Sequence, residues 1–208
     1  MPVLNRIAFF QNRRDEVPNQ ELARDLLAKK DRQSIQEIAE NLWNKEQNIQ
    51  SDCLKVLYEI GYLEPELIAD YVNDFLELLN SRNNRMVWGS MIALATIAGI
   101  RADEIFPQAD RIRQLMEKGT VITKDNGIKI LVALAASNDV YHEALFPYLL
   151  KQLENCRPQD MARYAESIIV AVNARCKDAF VNVVKSRIIN LEGSQAVRLR
   201  KVLRNLSV

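Results

Sequence analysis

Glycine and proline are scarce, six of each in 208 residues. An all-β chain of this length needs many tight turns and more of both, so that class is excluded. Cysteine is scarcer still. Cys53, Cys156 and Cys176 form no CxxC pair, and an odd number is no disulfide framework. Reduced thiols, mostly in the core of a cytoplasmic protein, are the expectation. His142 is the only histidine, which rules out any mechanism with two. No cysteine or carboxylate stands at ligand spacing to it, so no metal site is expected, and His142 reads as an ordinary surface or first-turn residue. No GxGxxG, P-loop, HExxH or GxSxG pattern occurs. Asp15-Glu16 and Asp103-Glu104 fall in the tail or at helix starts, where the helix dipole accounts for them. No catalytic residue and no cofactor is expected. No run approaches the about 18 apolar residues of a membrane span. The opening MPVLNRIAFFQNRRDEVP holds apolar Val3, Leu4, Ile7, Phe9 and Phe10 but lacks a basic n-region and a continuous h-region, so it reads as a poor signal peptide. It is expected to strap across the first helices.

What the chain does contain is helix-forming. Ala, Leu, Ile, Glu, Lys, Arg and Gln dominate, and 48% hydrophobic with 26% charged residues is ordinary for a soluble protein. The formal net charge of +1 points to no polyanion or polycation as a general partner. Its distribution is uneven. Residues 61–120 hold six basic against nine acidic side chains, and residues 175–208 hold eight against two. The basic terminal patch, Arg198, Lys201 and Arg204, is either a solvated cap or a docking surface for an acidic partner.

Shifting the sequence by 37 residues superimposes its apolar positions. Ile35, Val72, Ala109 and Phe146 form one column. Ile38, Phe75, Ile112 and Leu149 form a second, and Leu42, Leu79, Met116 and Leu153 a third. Later in each unit come Leu54, Met91, Ile128 and Ala165, then Leu57, Leu94, Leu131 and Ile168, then Ile60, Ile97, Leu134 and Ala171. At this composition one fully apolar column arises by chance about one time in twenty, so six without a gap are not coincidence.

The columns are spaced as on helices, so each unit is a pair of helices that each bury one stripe. The spacing predicts first helices near 32–45, 65–79, 102–118, 140–155 and 177–191, and second helices near 49–61, 85–99, 122–136, 158–173 and 194–206. Gly61 and Gly99 are expected to close helices, and Pro158 to sit in a first turn. A helix near 20–29 falls out of register, as a cap does. In the fifth unit Ser186 and Asn190 replace core residues, the polar drift of a terminal repeat. The predicted fold is all-α: a right-handed α-solenoid of about five helical hairpins with an N-terminal capping helix. Its boundaries are a strap and cap over 1–30 and a repeat domain over 31–208, with units at about 31–61, 64–99, 102–136, 139–174 and 176–206.

Leu145-Phe-Pro-Tyr-Leu-Leu-Lys-Gln-Leu153, followed by Ala162-Arg-Tyr-Ala-Glu-Ser-Ile-Ile-Val-Ala-Val172, resembles a HEAT repeat of the armadillo-like solenoids. Ile105-Phe-Pro-Gln-Ala-Asp-Arg-Ile112 is a second match. The resemblance covers about residues 31–206. The Asp and Arg that many HEAT repeats carry around the second helix do not recur in one column. The resemblance implies bent first helices. Pro147 lies off the core columns, so its missing N–H and ring clash are expected to fall towards solvent and curve the helix, with Pro107 similar. It also implies that second helices line a concave face.

On that face one column reads Ser51, Trp88, Asp125 and Ala162. Its neighbours read Asp52, Gly89, Asn126 and Arg163, and Lys55, Ile92, Lys129 and Glu166. The candidate partner-binding residues are Trp88, Arg85, Asp125, Lys129 and Arg163, with Trp88, Asp125 and Arg163 forming a ladder. Trp88 is either an exposed interface anchor or a residue that leans over Met91 and fills a gap. Trp43, beside Leu42, reads as simple packing. The functional expectation is a non-catalytic scaffold or adaptor, a monomer that grips another protein along the concave face. The resemblance also admits a nucleic-acid partner, through the HEAT-like alkylpurine DNA glycosylases, with Trp88 stacking, Asp125 stabilising an oxocarbenium and Arg163 holding phosphate. A lyase or chaperone of the phycobiliprotein type shares the architecture.

Overall fold

The structure is a computed structural model that describes residues 2–206. Every described element is helical. After a 3-10 turn at Val3–Arg6 come helices α1 (Val17–Lys29), α2 (Arg32–Glu40), α3 (Gln47–Gly61), α4 (Val72–Leu78), α5 (Asn84–Ile97) and α6 (Ala102–Ile105). They are followed by α7 (Ala109–Lys118), α8 (Val121–Ser137), α9 (Asp139–Asn155), α10 (Met161–Ile168), α11 (Lys177–Ile188) and α12 (Gly193–Leu206). The chain divides into two compact units, residues 1–126 and 127–208.

The repeat is expressed residue by residue. All six apolar columns are buried through all four copies, from Ile35, Val72, Ala109 and Phe146 to Ile60, Ile97, Leu134 and Ala171. Each large aliphatic side chain so placed contributes about 1.5–3 kcal/mol of transfer free energy. These stripes, more than helix propensity, hold the short helices together. The pairs are α2 with α3, α4 with α5, α9 with α10, and α11 with α12. Side-chain caps define several starts. Asp31 accepts from the Ser34 N–H at 3.0 Å, Asn83 from the Arg85 N–H at 3.0 Å and Asn138 from the Tyr141 N–H at 2.9 Å.

Within residues 1–126, α3 is central, packed against α1 on one side and α5 on the other. The approach to α5 depends on Gly89: a Cβ there would stand 2.6 Å from Leu54 Cδ2. Gly61 does end α3, but through crowding, not backbone freedom. Thr96 and Ile68 occupy the space a side chain would need. Within residues 127–208, α10 packs on α9 and α12, and α11 on α9 and α12. In the last hairpin Val183 is buried whereas Ser186 and Asn190 are exposed.

The two prolines behave differently. At Pro107 the α-helix gives way to a 3-10 turn, Phe106–Gln108, before α7 begins. At Pro147 α9 runs on unbroken. Pro147 is exposed, as is Glu143, whose carbonyl loses the bond, while Phe146 and Leu149 stay buried. Water can satisfy that carbonyl, so the helix need not break.

Candidate functional site

The N-terminal segment builds a site on α3 and α5. Val3, Ile7 and Ala8 are buried and anchor it, while Phe9 and Phe10 remain exposed. Three hydrogen bonds then fix the chain's course. The Ala8 N–H donates to Asn19 Oδ1 (2.9 Å), the Phe9 N–H donates to Asp52 Oδ2 (2.7 Å), and Asn19 Nδ2 donates to Asp52 Oδ1 (2.9 Å). Asn19 is itself buried on α1. One carboxylate on α3 thus pins both the strap and the cap.

Beyond the pin, residues 12–16 wall a cavity of about 460 Å³ whose floor is α3 and whose far side is Arg85, Trp88 and Gly89 of α5. Its acids are all engaged. Asp15 accepts from Arg13 through two bonds of 2.9 Å and from the Val17 N–H at 3.0 Å. The Arg13 bond holds the Asp15 carboxyl below its ordinary value. Glu16 lies 2.7 Å from the Lys55 ammonium, which also meets Glu59 at 2.7 Å. Lys55 is 8% exposed and sits 4.8 Å from the centre of the Tyr58 ring. Burial alone would lower the Lys55 pKa, but the bonds to Glu16 and Glu59 outweigh it and the net shift is upward. Burial pushes the Tyr58 hydroxyl up to about 12, against a weaker opposing effect from Lys55.

The cations are engaged unevenly. Arg13 and Lys55 are paired, whereas the guanidinium groups of Arg14 and Arg85 are exposed and meet no partner among the described residues. Trp88 is half-buried. Its ring lines this cavity and, on its other side, a second one of about 210 Å³ with Val87, Arg111, Leu115 and Thr123. The indole N–H donates to no group among the described residues. Gly89 brings α5 close enough to α3 for the indole to reach the cavity.

Of the residues singled out in the sequence, Arg85 and Trp88 come together here. Asp125 is half-buried on α8 and lines neither cavity at Trp88. Lys129 is exposed on the same helix. Arg163 turns along its own helix: Nη2 donates to Asp160 Oδ1 at 2.6 Å, and its guanidinium lies 5.8 Å from the Tyr164 ring centre. Asp160, buried, also takes Arg157 at 2.7 Å. In the terminal patch Arg198 makes a two-bond pair with Glu166, at 2.8 and 2.5 Å. Lys201 lies beside that pair in a shallow cavity, and Arg204 borders an apolar cleft with Val197 and Leu203.

Two expectations change. His142 is in the first turn of α9 but is buried, 9% exposed, and stacks on Phe146 with ring centres 4.8 Å apart. Its Nε2 stands 3.0 Å from the Ala171 carbonyl and 3.4 Å from Asn173 Nδ2. Trp43 is exposed, and its indole N–H donates to Asp74 at 2.9 Å across to the next repeat. Trp43 is therefore a surface bridge. Among the described residues no group of His, Cys, Asp and Glu is placed to hold a metal ion, and no helix is long and apolar enough to cross a membrane.

No protein-family model matches the sequence, and no curated protein does. Solved structures match the fold. An engineered protein from a structural genomics consortium aligns over 100% of this chain and 97% of its own, at 17% identity and a TM-score of 0.69. A designed armadillo repeat protein in complex with the peptide (KR)4 aligns over 90% of this chain and 86% of its own, at 11% identity and a TM-score of 0.69. A computationally designed armadillo repeat protein for modular peptide recognition covers 88% and 85%, at 13% identity and a TM-score of 0.66. The chain has the HEAT- and armadillo-like fold: an all-α solenoid of helical hairpins.

Proposed function

We propose that the chain is a non-catalytic scaffold that binds a protein partner as an extended segment in the cavity between the strap and the Arg85–Trp88 face of α5. Residues 1–30 serve as strap and cap to a repeat domain over 31–208. The observation that carries the reading is Trp88: an indole half-buried between two cavities, with a free N–H, beside an unpaired arginine. An aromatic so placed offers a large apolar face and one donor, the combination that anchors interfaces. Two structures that share the fold are designed binders of peptides, one holding (KR)4.

The test is titration of the full chain, in a Trp43→Phe background, with a panel of acidic, basic and neutral octapeptides while Trp88 fluorescence is followed. Binding that perturbs Trp88, and that Trp88→Ala removes without loss of helical circular dichroism, supports the proposal. A panel that leaves Trp88 unmoved, or binding that survives Trp88→Ala, sinks it.

A further inference from the structure

We infer that the segment held in this cavity is acidic, its carboxylates taken by Arg14 and Arg85. The inference rests on the peptide-binding reading and adds the chemistry of the partner. It comes from following each charge in the cavity to its bond.

Asp15 is closed by Arg13 and by the Val17 N–H, Glu16 by Lys55, and Asp52 by the Phe9 N–H and Asn19. Each of these carboxylates already has a donor within the folded chain. The cations do not cancel in the same way. Lys55 is buried and bound to two acids, and Arg13 is bound to one, but Arg14 and Arg85 stand exposed with unfilled donor forks. The two stand on opposite walls, Arg14 on the strap and Arg85 on α5, with Trp88 one helical turn beyond Arg85. A guanidinium presents two parallel N–H groups that match a carboxylate, and exposed forks cost little desolvation to fill. The indole N–H of Trp88 supplies a third donor, suited to a backbone carbonyl between the two acidic side chains. The two charged side chains left unpaired in the cavity are thus both donors.

The same donors would take phosphate, but a nucleic-acid strand needs a stripe of cations to follow its backbone. Here only Arg14 and Arg85 are unpaired, too few cations to follow successive phosphates. A short acidic peptide, whose carboxylates need reach only the two arginines, fits better. The design that holds (KR)4 shares the fold but carries a partner of opposite sign, so the recognised charge resides in the lining and not in the fold.

The experiment is calorimetric titration of the full chain, at low salt, with blocked octapeptides of alternating Glu-Asp, Lys-Arg and Gly-Ser and with a short DNA duplex. The Glu-Asp peptide is expected to bind at least about ten-fold tighter than either other peptide. Arg85→Glu and Arg14→Glu should each weaken it by about ten-fold or more, with Arg85→Lys retaining part, because a charge remains but the fork is lost. Both arginines are exposed, so circular dichroism should not change. If Lys-Arg or Gly-Ser peptides bind at Trp88 as tightly and the Glu substitutions do nothing, the acidic partner is wrong while peptide binding stands. Tighter binding of the duplex, lost in the same variants, overturns the inference in favour of nucleic acid. If nothing binds, both readings fall.

Discussion

The Lys55 ammonium lies 2.7 Å from Glu16 on the strap and 2.7 Å from Glu59 one turn along its own helix. A buried cation of this kind is tolerated only because both acids reach it. The contact joins the floor of the cavity to its wall, so the geometry of the binding site and the attachment of the first sixteen residues are one problem. Asn19 and Asp52 solve the other half of it, from the apolar anchor at Ile7 outward.

Lys55→Met is therefore expected to cost about 1–3 kcal/mol, as a broken buried pair does, moderated here because Glu16 and Glu59 keep some access to water. Urea denaturation measures the cost. Limited trypsin digestion locates it: cleavage after Arg13 and Arg14 should accelerate in the variant at urea concentrations where the rest of the chain stays folded. Unchanged digestion would show that Asp52 alone secures the strap.

Gly89→Ala tests the seam between α3 and α5. The new methyl would stand 2.6 Å from Leu54 Cδ2, so the helices or the leucine must move. Overpacking of this kind costs about 1–3 kcal/mol. Leu54→Val in the same chain should restore part of the loss by opening space, at the usual smaller cost of a shortened core side chain. Trp88 fluorescence should shift in Gly89→Ala and return in the double variant.

The hairpins were legible because their signal is periodic. A column such as Ile38, Phe75, Ile112 and Leu149 repeats a physical requirement, burial on one helix face, and the structure buries every member. Trp88 stands out in the sequence for the complementary reason, as an aromatic in a column otherwise small or polar. The strap's course was not legible beyond its apolar anchor. It is set by single hydrogen bonds between residues 11, 33 and 43 positions apart, and such pairs have no period. The first-turn place of His142 is legible, but its burial is not, because its partners, Phe146 and the Ala171 carbonyl, lie on its own helix and 29 residues away. Arg163 is different: Asp160 stands three residues before it, a spacing that itself signals a helical ion pair.

Asp160 gives the next expectation. It is buried and accepts charged hydrogen bonds from Arg157 at 2.7 Å and Arg163 at 2.6 Å. Asp160→Ala should destabilise the chain by about 1.5–3 kcal/mol, the range for bonds to charged groups. Arg163→Ala should cost less than half as much, because Arg157 still satisfies the carboxylate. Equal losses in the two variants, measured by urea denaturation, would assign Arg163 a packing role over Tyr164 instead.

Alkaline pH provides the last prediction, and groups of residues 1–126 that the fold keeps protonated set its sign; burial also raises Tyr62 and Tyr71. Burial pushes the Cys53 thiol from 9.0 up to about 12 and the Tyr58 hydroxyl from 10.0 up to about 12, while Lys55 is raised by its two carboxylates. In each case the folded chain holds its proton to higher pH than the unfolded chain. Their contributions are complete below the unfolded values and decline as pH rises towards the folded ones, because the unfolded chain binds fewer protons in that window. Stability should thus be level from pH 7 to about 8.5 and fall from about 9 upward, first through Cys53 and then through Tyr58 and Lys55. Melting temperatures at half-unit steps measure the profile. Cys53→Ala should flatten the part between about pH 9 and 10 and leave the steeper fall above it, whereas a profile unchanged by Cys53→Ala would mean that the unfolded chain does not ionise this thiol in that window.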